Sequence, residues 1–266
     1  MNFIPFCRQS LGSALGCLLL AGAAPLRAES DVTFTLSSSA DYSAGHYGEV
    51  DKTRVFSLTE GVQADYGRWT VKLSTPYIHL SGPGTVVPGI GKIQKVTLPP
   101  RHDESGGGDT TLTASYIAYQ VVSATRGTLT VGLGGEVKFG TADRAKGLGT
   151  GEDDFAGHVD GYWTKEQLTL FATLGYRKLG DPPGTDLLNT VYGTAGWSFQ
   201  VNKETSCGLT YSASQKSSKS SSSQAEVVAF ATRKIREKWN AQLYLMLGAT
   251  KASPDLGSGL SLSRAF

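Results

Sequence analysis

The segment Gly147-Leu-Gly-Thr-Gly-Glu-Asp-Asp154 has the residue types that could cradle a phosphate or cage a cation: glycines that free the backbone, then clustered acids. A phosphate cradle needs N–H groups converging at a helix N-terminus, usually with a Lys close behind. The next residues, Phe155-Ala-Gly-His-Val-Asp-Gly-Tyr-Trp163, instead alternate with period two. Phe155, Gly157, Val159, Gly161 and Trp163 share one face, and His158 and Asp160 share the other. The loop therefore joins two strands, which argues against nucleotide binding. Glu152-Asp-Asp154 could attract a divalent cation, but the acid spacing of a helix-loop-helix calcium site is missing, and no metal or cofactor is expected.

Of His46, His79, His102 and His158, only His79 falls outward near an expected outer edge, with Ser81 close in sequence. Hydrolase chemistry would need that pair and an orienting polar group. The remaining reactive side chains, Lys72, Glu136, Lys138, His158, Asp160 and Arg177, sit among Thr, Ser and Gly on the polar faces of alternating strands. Leu168, Leu170, Ala172, Leu174 and Tyr176 oppose Thr169, Thr173 and Arg177, and Leu129, Val131, Leu133, Val137 and Phe139 oppose Thr130, Glu136 and Lys138. In 239–250, Trp239, Ala241, Leu243, Leu245 and Leu247 oppose Asn240 and Gln242, and around Cys207 an apolar face opposes Ser206, Thr210, Ser212 and Ser214.

Residues 1–28 read as a secretory signal peptide, with Arg8, an apolar segment from Leu11 to Ala24, and Ala28 before a polar start; a lipoprotein reading would use Cys17. Loss of Cys7 and Cys17 leaves Cys207 alone, so no intrachain disulfide can form. Loss of Arg8 and Arg27 brings the 25 Lys and Arg down to equality with the 23 Asp and Glu, which argues against a nucleic-acid partner. No later apolar run reaches the ~18 residues of a membrane helix. A secreted β-sandwich, a soluble barrel and an outer-membrane barrel remain, and aromatic residues favour the last. Trp69 and Tyr77 bracket one apolar face and Trp239 opens another, as interfacial girdles do.

The expected fold of 29–266 is therefore all-β, a transmembrane antiparallel β-barrel of about twelve strands. The strands fall at roughly 31–42, 53–65, 68–80, 109–122, 127–139, 155–164, 167–178, 188–201, 205–215, 225–235, 238–249 and 256–266. Tight turns at 65–68, 123–126, 164–167, 201–204 and 236–238 interleave with longer segments at 43–52, 81–108, 140–154, 179–187, 216–224 and 250–255. Short periplasmic turns and longer outer loops are the layout of the bacterial outer membrane. The polar run 216–224 reads as an outer loop, with an interdomain linker as the alternative. Two stretches fit less well: Glu60 shares a face with Phe56, Leu58 and Val62, and Ile117 and Tyr119 fall among polar positions. The terminal strand ends on Phe266, which resembles the signal read by the outer-membrane assembly machinery, with Arg264 where an apolar residue is usual.

Twelve strands close at a backbone radius of roughly 12 Å, wide enough for a solute pathway that side chains and loops then narrow. An Arg or Lys facing lipid at mid-membrane would be unfavourable by ~2–4 kcal/mol, so the charged face is the lumen. If 127–139 and 155–164 pair around residue 147, Glu136 lies opposite His158, with Lys138 and Asp160 one inward step away. This set is either a rigidifying girdle or a selective constriction. Gly147, Gly149, Gly151 and Asp153 would belong to a loop folded over the pore. The expected partners are outer-membrane lipids, the assembly machinery and a small-molecule solute. A structural or adhesive barrel and an outer-membrane lipid hydrolase are the alternatives to a channel.

Several segments carry a resemblance. Tyr66-Gly67 before Leu73-Ser-Thr-Pro-Tyr77, Ser105-Gly-Gly-Gly-Asp109 opening a strand, and Lys138, Gly147, Gly149, Thr150, Gly151 and Asp153 together resemble the outer-membrane transporter family named for a MetA pathway of phenol degradation. That family carries Pro-Thr-Gly after the Lys, where this chain has Phe139-Gly140-Thr141. The resemblance implies a channel or transporter for small, hydrophobic or aromatic solutes.

Overall fold

A computed structural model describes residues 32–93, 101–185 and 187–266. The expected signal segment lies outside the described residues. The strands are β1 (Thr33–Gly45), β2 (Thr53–Tyr66), β3 (Trp69–Pro83), β4 (Val86–Val87), β5 (Gly91–Lys92), β6 (Arg101–Gly107), β7 (Thr110–Ser123), β8 (Gly127–Phe139), β9 (Asp154–Lys165), β10 (Leu168–Lys178), β11 (Thr190–Gln200), β12 (Thr205–Ser214), β13 (Gln224–Arg236), β14 (Trp239–Gly248) and β15 (Leu256–Ala265). β4 and β5 form a separate small hairpin, while β6 and β7 both pair with β3 and make one wall strand interrupted at Gly108 and Asp109. The wall is thus a closed antiparallel barrel of 12 strands, sealed where β1 meets β15 from Thr35↔Ala265 to Ala44↔Leu256. Each expected strand is present. The expected loop 81–108 is shorter than read, because β3 continues to Pro83 and β6 occupies 101–107.

Which face meets lipid is decided by exposure. Leu174 is 65% exposed while the adjacent Thr173 is 6% exposed. The same inversion repeats around the barrel, with Leu243, Leu245, Leu260 and Tyr211 outward and Gln242, Ser261 and Thr210 inward. A fold with its leucines outside and its threonines inside is stable only when hydrocarbon surrounds it. Tyr66, Trp69, Trp197 and Phe266 crowd the turn end of that belt, and Trp69 packs on Tyr116 with ring centroids 4.8 Å apart. Arg264 is accommodated in the same zone, its guanidinium 5.4 Å from the Trp239 ring and 4.6 Å from that of Phe266.

The two awkward stretches resolve differently. In β7 the register slips between Ile117 and Tyr119, so Ala118 is an extra residue. Such a bulge resets the alternation and turns Tyr119 outward, where strict period two had placed it on the polar face. Glu60 does face outward with Phe56, Leu58 and Val62, and the Ser38 hydroxyl donates to its carboxylate at 2.7 Å.

Many glycines of the inner wall make room for rings. A side chain at Gly175 would strike Tyr192; at Gly196, Phe171; at Gly208, Phe230; at Gly259, Tyr244; at Gly134, His158. Each ring lies over a glycine of the neighbouring strand, which brings it close to the wall.

The topology makes a test. In a Cys207→Ser background, Lys216→Cys in the β12–β13 loop is expected to react with an impermeant maleimide on intact cells, and Lys203→Cys in the β11–β12 turn is not. Equal reaction at both positions contradicts the assignment of the two ends.

Candidate functional site

Three strands, β8 to β10, carry the charged set into the lumen in successive layers, with Tyr192 of β11 beside them. In one, Glu136 pairs with Ala156 of β9, which pairs with Arg177 of β10. The methyl of Ala156 is low enough for the Arg177 guanidinium and the Glu136 carboxylate to approach over it, to 3.8 Å, while the guanidinium stacks 5.1 Å from the Tyr192 ring. In the next layer His158 lies between Gly134 and Gly175. Below it, the Thr173 hydroxyl donates to Asp160 at 2.5 Å, and His158 Nε2 is 3.3 Å from the other oxygen of that carboxylate. His158 Nδ1 is buried without a hydrogen-bond partner.

The register corrects one expectation. His158 is opposite Gly134 and Glu136 is opposite Ala156, so the register is shifted by two residues from the pairing around residue 147. The reason is steric: the imidazole needs a glycine beneath it, and the Glu–Arg pair needs a small residue between its partners. Lys72 also faces inward, on β3, with its stem over Gly61 of β2.

Lys138 holds the point where the wall is interrupted. Its ammonium lies 3.1 Å from Asp109, 2.9 Å from Asp154 and 3.2 Å from the Thr150 hydroxyl. Beyond Phe139 and its partner Thr110, β8 leaves the wall, and the far edge of β6 pairs with no other strand among the described residues. The loop 140–153 lies along that edge. Its Lys146 donates to the Ser105 carbonyl at 3.4 Å, Leu148 packs on Ile78 and Leu80, and Ala142 N donates to Asp109 at 2.9 Å. On its other side Arg144 reaches the Pro183 carbonyl and Gly180 sits against Glu152 and Asp153. Gly147 and Gly151 take positive φ in this segment, at 67° and 71°, and Asp153 accepts from Gly140 N at 2.8 Å. These residues therefore patch the wall between β6 and β9.

The segment that crosses the mouth is the hairpin 84–93. It leaves β3, yet Ser217 and Ser218 of the β12–β13 loop, on the opposite side of the ring, donate to its Ile90 and Lys92 carbonyls. Val87, Ile90 and Ile93 pack on Leu179 and Leu187 of the β10–β11 loop. At its base, Lys92 lies 3.1 Å from Glu49 of the β1–β2 loop, and the Thr85 hydroxyl donates to the same carboxylate at 2.7 Å. Burial alone would push the Glu49 carboxyl up, but the hydrogen bonds from Thr85 and Lys92, with the Lys92 charge, outweigh it and hold the carboxyl below its ordinary value.

His79 does not meet Ser81. Its Nδ1 is 2.8 Å from Ser105 Oγ and its Nε2 is 3.5 Å from Asp103 on the exposed rim. The three polar groups of a hydrolase are together on the outside of the barrel, at 47% and 67% side-chain exposure for His79 and Asp103. Among the described residues no His, Cys, Asp and Glu cluster could hold a metal ion.

No family model matches the chain, and no curated protein matches it. Solved structures do. The COG4313 outer membrane channel from Pseudomonas putida F1 aligns over 92% of this chain and 97% of its own, at 15% identity and a TM-score of 0.65. The NanC porin aligns over 86% and 98% at 10% identity, with a TM-score of 0.56, and the KdgM porin over 87% and 99% at 10% identity, with a TM-score of 0.50. The shared property is the fold. Together with the apolar outer belt, it makes this chain a bacterial outer-membrane β-barrel.

Lys138 serves the buried Asp154 and the largely buried Asp109, so its loss leaves both without a counter-charge. Lys138→Met is expected to lower stability by about 3–5 kcal/mol, read as an earlier loss of the heat-modifiable band on gels. Adding Asp109→Asn and Asp154→Asn should recover much of the loss. Wild-type melting of the single variant would contradict the assignment.

Proposed function

We propose that this barrel is an outer-membrane channel for small solutes, hydrophobic or aromatic ones in particular, opened by movement of the hairpin 84–93. The observation that carries the reading is a lumen with two kinds of wall under a removable cover. β8 to β11 present hydrogen-bonding and charged groups, whereas β13 and β14 present Val228, Phe230, Tyr244 and Met246. The hairpin is held across the mouth by side-chain contacts at its tip and base, which can part without breaking the wall. The likeness of the fold to a channel and two porins supports the reading. The preference for aromatic solutes draws its support from the apolar strip and from the resemblance to the phenol-degradation transporter family.

A structural barrel is the second reading, and one observation favours it. Glu136, His158, Asp160, Thr173, Arg177 and Tyr192 are each under a tenth exposed, as in a packed strut.

The latch has a sign with pH. Because the Glu49 carboxyl is held below its ordinary value of 4.5, the stabilisation it gives the cover is complete above that pH and is lost as pH falls through the lowered value. The reading is tested with Ile90→Cys and Ser217→Cys in a Cys207→Ser background. In planar bilayers the oxidised protein should stay in its low-conductance state, and reduction should restore openings that become more frequent in acid. Identical currents before and after reduction, with the crosslink verified by mass, would exclude the hairpin as the gate.

A further inference from the structure

The carboxyl groups that face the lumen are held by donors. Asp41 accepts from Tyr244 Oη at 2.6 Å and Ser39 Oγ at 2.9 Å, and Asp65 accepts from Gln63 and Thr70. Glu136 faces Arg177, Asp109 and Asp154 share Lys138, and Asp160 takes Thr173. Glu226 of β13 is different. It is 8% exposed and alternates inward with Val228 and Phe230, yet no hydrogen bond or ion pair joins it to any described residue.

Its neighbours explain why. Across the sheet Glu226 pairs with Ser212, whose hydroxyl is engaged with Thr194 at 3.0 Å, and with Gly248, which has no side chain. Above it, the Gln224 amide donates to the Ala252 carbonyl at 3.4 Å and sits beside Gly91 of the cover hairpin. Tyr47 brings a phenol and no cation: burial first, with the Glu226 and Asp255 charges adding to it against a hydrogen bond with Ser43, pushes that hydroxyl up to about 12. Below it runs the apolar strip of Val228, Met246, Phe230 and Tyr244. Three of these, Met246, Phe230 and Tyr244, lie over Gly257, Gly208 and Gly259.

A buried carboxylate without a donor is destabilised in an empty barrel, and among the described residues the other lumenal carboxylates all have one. We propose that Glu226 is the head-group site for an amphiphilic solute with a protonated amine, its apolar body lying along Val228, Phe230, Tyr244 and Met246. A hydroxyl could donate to the carboxylate, but of solute groups a cation both donates and balances its charge, and such bonds are roughly twice as strong. From residue 226 to residue 230 the strip runs about 13 Å along the strand. The site rests on the reading of the barrel as a solute channel and names one class of solute for it.

The test uses the full chain purified in a non-ionic detergent, with octylammonium as the probe and octanol as its uncharged counterpart. Binding is read as the rise in the temperature at which the heat-modifiable band is lost. Octylammonium should stabilise the wild type and Glu226→Asp, and at least about tenfold more of it should be needed for Glu226→Gln. Octanol should act equally on all three. Without ligand, and at alkaline pH where the carboxyl is ionised, Glu226→Gln should melt above the wild type, because it removes an unpaired charge and keeps the fold. Equal octylammonium sensitivity in wild type and Glu226→Gln, or octanol as effective as the amine, overturns the site. Because melting does not require conduction, selective amine binding by a barrel that passes no current supports the site and removes the channel reading. A conducting barrel with no amine selectivity does the reverse.

Discussion

Hydrocarbon cannot satisfy a backbone N–H or C=O, and this structure is built on that constraint. Every wall strand must have a partner on both sides, so the sheet closes between β1 and β15 and the outward side chains become apolar. Among the described residues closure is incomplete at one place, where β8 leaves the wall and the far edge of β6 is left without a strand. Lys138 gathers Asp109 from the β6–β7 break and Asp154 from the start of β9, and the loop 140–153 covers the free edge. The charge at Lys138 therefore does what a ladder of backbone bonds does elsewhere.

Inside the wall, size matters as much as polarity. Inward rings lie over glycines, and the meeting of Glu136 with Arg177 depends on the smallness of Ala156. The glycine content, suggestive of a ligand loop in the sequence, is mainly a packing device on the inner face. The lumen is divided, with ionic layers on β8 to β10 and an apolar strip on β13 and β14. The cover hairpin and the lone carboxylate of Glu226 belong to the strip side, which links the mouth to the apolar wall.

The strands were legible in the sequence because lipid and lumen impose opposite chemistry on alternate residues, and that alternation survives in Leu168 to Arg177 without any tertiary information. Pairing was less legible. The expected opposition of Glu136 and His158 came from centring a loop by length, whereas the true register is set by which residues lie beneath the imidazole and the Glu–Arg pair. Tyr119 was misplaced by a bulge, which leaves no mark on composition. The cover did leave one: Val86, Val87, Ile90 and Ile93 around Pro88-Gly89 are too apolar for a segment left in water. The partners of Lys138 and the isolation of Glu226 depend on strands far apart in the chain, and only the folded barrel brings them into view.

Whether the inner face is a solute pathway is decided most simply at two adjacent positions on β2. Ser57 is 3% exposed and inward, and Leu58 is 44% exposed and outward. Single cysteines at these positions, in a Cys207→Ser background in lipid bilayers, would be exposed to a small water-soluble thiosulfonate. The cysteine at 57 should be modified, faster when Glu49→Gln loosens the latch, while the one at 58 stays unmodified in hydrocarbon. If position 57 is as inert as position 58 with the latch intact and with it removed, the lumen is a dry strut and the barrel is not a channel.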